Sequence, residues 1–300
     1  MTATSSTDEW GMDQLDLDAY LKRIGRPDLG DAKPNRETLR RLHRAHVESI
    51  PFENIDIVLG REVPMSTAEI QRKLVAAARG GYCHEHGLLF GAVLNRLGYR
   101  VDRLLARPRE RPGRPWPCTH LTLLASGVDG DWLADVGFGA GLLEPLPLTE
   151  DGWSTQGEGW SFAVAAHEEG RQLMERAVPG TPAGNTPGTS TGNTLYSFSN
   201  RAQRAADVDA ANYYTSTHPD SPFTGQLIVM QRFSGEMRRL LNRDFSRVRP
   251  DGTAERRQHL DDGQFAAVLT EEFGLALTAE ELRGLAARVG DVRSSLMGGP

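Results

Sequence analysis

The spacing of apolar positions predicts helices in the first hundred residues of the chain. In residues 16–24, four apolar side chains recur on one face at helical spacing. A second helix is predicted to begin after Asn35, a favourable N-cap, and to end before Pro51, which cannot continue it. From Cys83 onward, apolar residues recur every fourth position, so the cysteine is predicted to lie at the start of a further helix.

After residue 98 the pattern changes to the alternation that is typical of β-strands. Strands are predicted over residues 99–107, 120–125, 132–136, 162–166, 173–177 and 226–232. The second and third of these flank a loop with Asp129-Gly130. Residues 179–194 are mostly Gly, Pro, Thr and Asn, which predicts a mobile surface loop. With two more helices near 262–273 and 278–288, the order of elements predicts an α+β fold of about three layers.

Composition excludes several classes of protein. The 300-residue chain is 39% hydrophobic with 32 Gly, as expected of a globular protein rather than a disordered or fibrous one. Its 2 Cys are too few for a disulfide framework or a four-cysteine zinc ribbon. A net charge of −6 without a basic block argues against a nucleic-acid partner. We find neither a signal-peptide pattern nor an apolar run of the ~18 residues that span a membrane, so we expect a soluble, cytoplasmic protein without a membrane partner.

Reactive side chains are concentrated in three short segments, which begin at Arg79, Cys118 and Asp135. One interpretation is a zinc site, because Cys and His are ligands that zinc prefers. The available ligands would be Cys83, His84, His86, Cys118 and His120. Their spacing matches no common zinc finger, so a metal site is the less favoured interpretation and no metal is predicted.

The alternative is a Cys-His-Asp system with Cys83 as the nucleophile. A helix N-terminus favours the thiolate, an imidazole can take the thiol proton, and a carboxylate orients that imidazole. If the loop between the second and third strands has an even length, His120 and Asp135 lie on the same face of the paired strands. His84 follows the nucleophile directly and is expected not to reach back to it. Cys83, His120 and Asp135 are therefore the predicted catalytic residues.

Five motifs occur in order between about residues 15 and 285 of the chain. They are PFEN at 51–54, RGGYC at 79–83 followed by Glu85, HLTLL at 120–124, WLADVGFG at 132–139, and NYYTSTHP at 212–219 with SPF at 221–223. Together they resemble the motifs of the arylamine N-acetyltransferase family, and the likeness covers nearly the whole chain. One departure is Gly87, where many members of that family have Asn.

The resemblance implies an acyl transfer in two halves. Cys83 would attack the thioester of acetyl-CoA, and an arylamine or hydrazine would then take the acetyl group from the sulfur. His120 would act as the base and Asp135 would orient it. Acetyl-CoA would be a substrate, with no permanently bound cofactor. The resemblance further implies that an acyl pocket or CoA cleft is lined by Phe52, Thr119, Phe138 and Gly139, and that the oxyanion hole uses backbone groups of Tyr82 and Cys83.

The fold that the resemblance implies is α+β, with a core similar to that of cysteine proteases and transglutaminases. A helical bundle over residues 1–98 would carry the nucleophile. A β-barrel over 99–205 would carry the histidine and the aspartate, and residues 206–300 would form an α/β lid. The oligomeric state is left open, with a homodimer among the possibilities.

Two rival functions use the same three residues. One is an amide synthase that closes a macrolactam by moving a polyketide chain from a carrier protein to an aryl amine, and the other is a Cys-His-Asp hydrolase. A third rival is a zinc-bound, non-catalytic module. The small acyl pocket and the motifs that continue into the third domain favour the acetyltransferase.

The sequence also gives expectations for residues outside the predicted catalytic group. Glu53 and Arg79 are predicted to form a buried ion pair that braces the nucleophile loop. Cys118 lies two residues before His120 and is expected on the same strand face, either close enough to Cys83 for a regulatory disulfide or as a small buried residue. The remaining histidines that we expect to be solvated are His43, His46, His167 and His259.

Overall fold

The computed structural model describes residues 8–108, 116–127, 130–149, 152–176 and 192–296. Its α-helices are α1 (Leu17–Arg23), α2 (Arg36–Ser49), α3 (Ile55–Val58), α4 (Thr67–Gln71), α5 (Cys83–Arg96), α6 (Ala205–Thr217), α7 (Pro222–Gly225), α8 (Asp262–Ala267) and α9 (Ala279–Leu296). Single π-helical turns over Arg72–Ala76 and Val268–Glu272 extend α4 and α8. Within these ranges no helix is long and apolar enough to cross a membrane.

The strands form two antiparallel sheets. They are β1 (Phe52–Glu53), β2 (Arg100–Pro108), β3 (His120–Ser126), β4 (Trp132–Leu133), β5 (Leu146–Pro147), β6 (Ser154–Gln156), β7 (Trp160–His167), β8 (Gly170–Glu175), β9 (Asn193–Phe198), β10 (Ile228–Arg232), β11 (Met237–Leu241), β12 (Asp244–Val248) and β13 (Ala254–Arg257). One sheet has the order β5-β4-β3-β2-β9-β8-β7-β6, and the other has the order β1-β10-β11-β12-β13. The predicted α+β class, with helices followed by strands, is confirmed.

The eight-stranded sheet curls so that strands far apart in its order share one core. Leu146 on β5 and Phe162 on β7 belong to the same buried cluster as Leu104 on β2, and β5 contacts β7 directly. This gives the sheet a barrel-like shape. The five-stranded sheet joins the N-terminal helical part of the chain to its C-terminal part, because Phe52 on β1 pairs with Met230 on β10.

Helix α5 is buried throughout its first three turns, from residue 83 to residue 94. It packs directly on β3, and Gly87 is the residue that permits this approach. A Cβ atom at Gly87 would lie 2.8 Å from Cδ2 of Leu121, closer than side chains tolerate. Glycine at this position, which disfavours the helix by itself, is therefore explained by the contact with β3.

The helix boundaries agree with the predicted capping residues. The Asn35 side chain accepts the Thr38 N–H at 2.8 Å at the start of α2. The predicted strand over 132–136 is shorter in the structure, because the Asp135 carboxylate accepts the Gly137 N–H at 2.9 Å and turns the chain after β4. Most of the predicted loop over 179–194 lies outside the described residues, as does Asp129, but Asn193 and Thr194 are in β9, so the loop prediction is wrong there.

The prediction that His43 and His46 are solvated is wrong, because both side chains are completely buried. His43 Nδ1 lies 3.1 Å from the Leu143 carbonyl oxygen. His46 is hydrogen-bonded at 2.8 Å both to the Tyr20 hydroxyl and to the ring of His86. Burial lowers the pKa of His43 to about 4, so it is neutral near pH 7. Both histidines lie on the buried face of α2. A pattern based on apolar residues alone treats every histidine as polar and therefore predicts that these two are exposed.

Candidate active site

The side chains of His120 and Asp135 face each other at one end of the β3–β4 pair. The strand register places Leu124 opposite Leu133, so residues an even number of positions from these partners share one face, as predicted. His120 Nε2 donates to Asp135 Oδ2 at 2.7 Å, and both residues are buried. Burial would raise the pKa of the Asp135 carboxyl, but the His120 cation and the hydrogen bonds to the carboxylate outweigh burial and lower it.

A third donor to the same carboxylate comes from Tyr196 on β9. Its hydroxyl donates to Asp135 Oδ2 at 2.6 Å, and its ring centroid lies 4.9 Å from that of His120. Sequence reasoning missed Tyr196 as a site residue. The pairing of β9 with β2 joins Phe198 to Ala106, residues far apart in the chain, and no local pattern marks such a pairing.

The predicted nucleophile Cys83 is the first residue of α5 and is buried. Its Sγ lies 3.9 Å from the carbonyl oxygen of Thr119, the residue before β3. Burial alone would raise the pKa of the Cys83 thiol, but the imidazoles of His84 and His120 outweigh burial and lower it to about 5. Burial would lower the pKa of His120, but Asp135 and Cys83 raise it to about 10. The structure therefore brings the three predicted residues together, and these pKa values favour a thiolate, an imidazolium and a carboxylate near pH 7.

The backbone of Tyr82 is engaged elsewhere, which corrects one expectation for the oxyanion hole. The Tyr82 N–H donates to the Glu85 carboxylate at 3.1 Å, so it does not face a substrate oxygen. Glu85 is completely buried and also contacts the Lys73 ammonium at 2.8 Å. Burial raises the pKa of Glu85 to about 7, against the opposing effect of Lys73. Glu85 therefore holds the turn before Cys83.

The predicted ion pair between Glu53 and Arg79 is confirmed. Arg79 Nη2 donates to Glu53 Oε1 at 2.8 Å, and both side chains are almost completely buried. The Glu53 N–H also donates to the Gly81 carbonyl oxygen at 2.7 Å, so side chain and backbone both tie β1 to the nucleophile loop. This contact accounts for the PFEN motif at 51–54 as a brace for residues 79–83.

A cavity of about 340 Å³ opens beside Cys83 and His120. Its walls are mainly apolar, and they come from the barrel-like sheet, β10 and the segment around α6 and α7. The aromatic residues that line it are Phe52, Trp116, Phe138, Tyr214 and Phe223. Thr119 also lines the cavity, whereas Gly139 is not among its lining residues. Gly139 has a positive φ of 78°, and a Cβ there would lie 3.0 Å from Phe52 Cγ, so this glycine makes room for Phe52.

Cys118 is not part of the strand that carries His120, since β3 begins at His120. The strand-face argument therefore fails for it, and the alternative of a small buried residue is wrong because Cys118 is exposed. Both cysteines are free thiols in the structure.

The candidate zinc ligands do not converge. His86 is hydrogen-bonded to His46, and its Nε2 lies 3.2 Å from the Pro51 carbonyl oxygen. Among the residues that the structure describes, no group of three or more His, Cys, Asp or Glu side chains is arranged to hold a metal ion. The site is therefore described by its nucleophile and acid–base groups.

The chain is similar to known proteins over most of its length. A family model described as N-acetyltransferase matches residues 35–282. The arylamine N-acetyltransferase of Mycolicibacterium smegmatis is 33% identical over 289 residues, which cover 93% of this chain and 98% of that protein. The arylamine N-acetyltransferase of Mycobacterium tuberculosis H37Rv is 36% identical over 267 residues, which cover 87% of this chain and 89% of that protein.

Solved structures of such enzymes have the same fold. The arylamine N-acetyltransferase from Mycobacterium abscessus superimposes with a TM-score of 0.86 at 34% identity, covering 96% of this chain and 99% of that one. The Mycobacterium marinum enzyme in complex with CoA superimposes with a TM-score of 0.81 at 31% identity, covering 92% of this chain and 99% of that one. The likeness thus extends over nearly the full length of both chains.

Proposed function

This chain belongs to the arylamine N-acetyltransferase family, and from that premise we propose that it transfers acetyl from acetyl-CoA to an arylamine or hydrazine through a thioester on Cys83. The observation that carries the proposal is the Cys83 thiol, buried at a helix start beside His120, with its pKa lowered to about 5. A thiolate is the reactive form of cysteine, so the group is prepared for attack before substrate binds.

In the first half-reaction the Cys83 thiolate attacks the carbonyl carbon of acetyl-CoA. A carbon–sulfur bond forms to Cys83, and the bond to the CoA sulfur breaks. The departing CoA thiolate takes a proton from the His120 imidazolium, whose pKa of about 10 favours the protonated state until that moment. The Asp135 carboxylate, 2.7 Å from His120 Nε2, keeps the ring oriented throughout.

In the second half-reaction the nitrogen of the amine attacks the acetyl carbon on Cys83. His120, now neutral, takes the proton that the amine loses, and the Cys83 thiolate leaves as the amide forms. The enzyme returns to its starting charges, so His120 serves as acid in one half and as base in the other.

The apolar lining of the cavity favours the binding of an aromatic acetyl acceptor. Phe52, which packs in one buried cluster with Cys83, and Phe138, whose ring centroid lies 5.1 Å from that of His120, line the walls of the cavity. There they would contact the acetyl group and limit the access of water to the thioester. Thr119 contributes its backbone carbonyl next to the sulfur. We propose that acetyl-CoA is the donor and enters the same cavity, a proposal supported by the Mycobacterium marinum relative, which was solved in complex with CoA.

Each of the three segments of the chain contributes a different part of the site. We propose that residues 1–98 carry the nucleophile, that residues 99–205 carry His120 and Asp135, and that residues 206–300 close the cavity as a lid. Tyr214 on α6 and Met230 on β10 line the cavity from that last segment and support this role.

The release of CoA in the absence of amine tests the two-step scheme. We expect a burst of one CoA per enzyme followed by a slow phase, and steady release once an arylamine is added. Steady release without amine would identify a hydrolase instead. No release until both substrates are present would indicate direct transfer without a thioester.

A further inference from the structure

The side chain of His84, next to Cys83 on α5, has no hydrogen-bonding partner. It is completely buried, and neither Nδ1 nor Nε2 has a partner with hydrogen-bond geometry. Its nearest described ring is that of Tyr82, in edge contact with a centroid separation of 5.2 Å. A buried imidazole must keep at least one N–H, and a buried N–H without an acceptor is unfavourable. The contacts of His84 while the Cys83 thiol is protonated therefore do not explain why this imidazole is buried.

The ionisation of Cys83 supplies an acceptor at this place. In the structure the thiol is oriented toward the Thr119 carbonyl oxygen, 3.9 Å from Sγ, as a donor. Once the thiol has lost its proton, the sulfur can only accept, and the Thr119 oxygen no longer stabilises it. A thiolate in a buried site needs N–H donors around it.

We propose that His84 is a positioning residue that donates its ring N–H to the Cys83 thiolate, as a second imidazole beside His120. The proposal rests on the proposed function in one respect, since it takes Cys83 as the nucleophile. It differs from the expectation, drawn from the sequence, that His84 does not reach back to Cys83. The interaction stabilises the thiolate before substrate binds and is lost when the sulfur carries an acyl group.

Electrostatics support the same assignment. Among the groups that lower the pKa of the Cys83 thiol, His84 has the largest effect, ahead of His120. His120 is shared with Asp135, to which its Nε2 is committed at 2.7 Å. His84 has no such second partner, so its N–H is free to serve the sulfur alone.

Other titratable side chains lie near Cys83 and His84. Tyr82, the residue before α5, donates its phenol to Asn212 of α6. On α5 itself, Glu85 is paired with Lys73, and His86 is hydrogen-bonded to His46. These groups are engaged with partners other than the sulfur. From the sheet, His120 acts on Cys83, and Asp135 in turn acts on His120.

The rate of alkylation of Cys83 by iodoacetamide, measured against pH, tests the proposal. All variants would carry Cys118→Ser, so that Cys83 is the one thiol that reacts. In this background we expect the midpoint of the pH profile near 5. His84→Phe keeps an aromatic ring but removes the donor, and we expect the midpoint to rise by about one pH unit or more, with alkylation at pH 5.5 slower by several-fold.

Two further variants make the test specific. His84→Gln retains an N–H donor, so its midpoint is expected between those of the parent and His84→Phe. His43→Phe is the matched control, because His43 is also a buried histidine with an unpartnered Nε2 but lies on α2. Its midpoint is expected to stay at that of the parent.

The outcomes separate this proposal from the proposed function. An unchanged midpoint in folded His84→Phe, or equal shifts for His84→Phe and His84→Gln, would overturn the donor role of His84. The circular dichroism spectrum of each variant establishes that it is folded. Failure of the parent protein to become acetylated by acetyl-CoA would instead overturn the role of Cys83, whatever the alkylation profiles show.

Discussion

Asp135 Oδ2 accepts two hydrogen bonds at once, from His120 Nε2 at 2.7 Å and from the Tyr196 hydroxyl at 2.6 Å. Its other oxygen accepts the Gly137 N–H at 2.9 Å. The carboxylate is thereby held from β3, from β9 and from the turn after β4, and it orients the imidazole of His120. This arrangement makes the contribution of each partner measurable.

Asp135→Asn is expected to fold but to lose activity by about a hundredfold or more. The substitution preserves the shape of the side chain and removes the charge that raises the pKa of His120 to about 10. Measurement of kcat with an arylamine, together with a thermal melt, checks this. A folded variant with a rate near that of the parent would show that Asp135 does not orient the base.

Tyr196→Phe removes one hydrogen bond to the same carboxylate and keeps the ring contacts with His120. A hydrogen bond to a charged group contributes about 1.5–3 kcal/mol, and the lower end of that range corresponds to about tenfold in rate. Because Asp135 keeps its charge and its hydrogen bonds to His120 and Gly137, we expect a loss in kcat of roughly tenfold, smaller than that for Asp135→Asn. Tyr99→Phe is the matched control, because its hydroxyl bonds the Asn35 carbonyl oxygen away from the cavity. Equal losses of activity in the two variants would argue against a specific role for Tyr196.

The rate of the first half-reaction is expected to depend on pH at two points. The Cys83 thiolate forms as the pH rises through about 5, and His120 loses its proton as the pH rises through about 10. The initial rate of CoA release should therefore increase near pH 5, stay level, and decrease near pH 10. A single rise near pH 9, where an ordinary thiol ionises, would contradict the ion pair between Cys83 and His120.

Gly87→Ala is expected to destabilise the fold by about 1–3 kcal/mol, although alanine favours helices. The added Cβ would lie 2.8 Å from Cδ2 of Leu121 and would separate α5 from β3. Gly263→Ala in α8 is the control, since its Cβ meets no atom closer than 3.4 Å, and it should be neutral or stabilising. Urea unfolding of both variants measures the difference, and a stable Gly87→Ala would contradict the close packing of α5 on β3.

The sequence predicted what depends on local periodicity. The start of α5 at Cys83 follows from apolar residues that recur at every fourth position. The shared face of His120 and Asp135 follows from the even number of residues in the loop of a short hairpin. Both rules act over a few residues. They were sufficient to identify the three residues that the structure brings together.

Long-range pairing and polar burial were beyond such rules. Tyr196 reaches Asp135 because β9 pairs with β2, a contact that no local spacing encodes. His46 is polar in sequence and buried in the structure because the Tyr20 hydroxyl and His86 satisfy its ring nitrogens. The backbone N–H of Tyr82 does not contribute to the predicted oxyanion hole, because it donates its hydrogen bond to the Glu85 carboxylate. Each of these depends on a partner that is recognised only in three dimensions.

The central claim is that an acetyl group resides on Cys83 between the two half-reactions. Intact mass spectrometry after mixing the protein with acetyl-CoA alone tests it most directly. We predict a gain of one acetyl group, about 42 Da, in the parent and in Cys118→Ala, and none in Cys83→Ala. An unmodified parent, or a Cys83→Ala variant that still gains the acetyl group and turns over acetyl-CoA, would contradict the account.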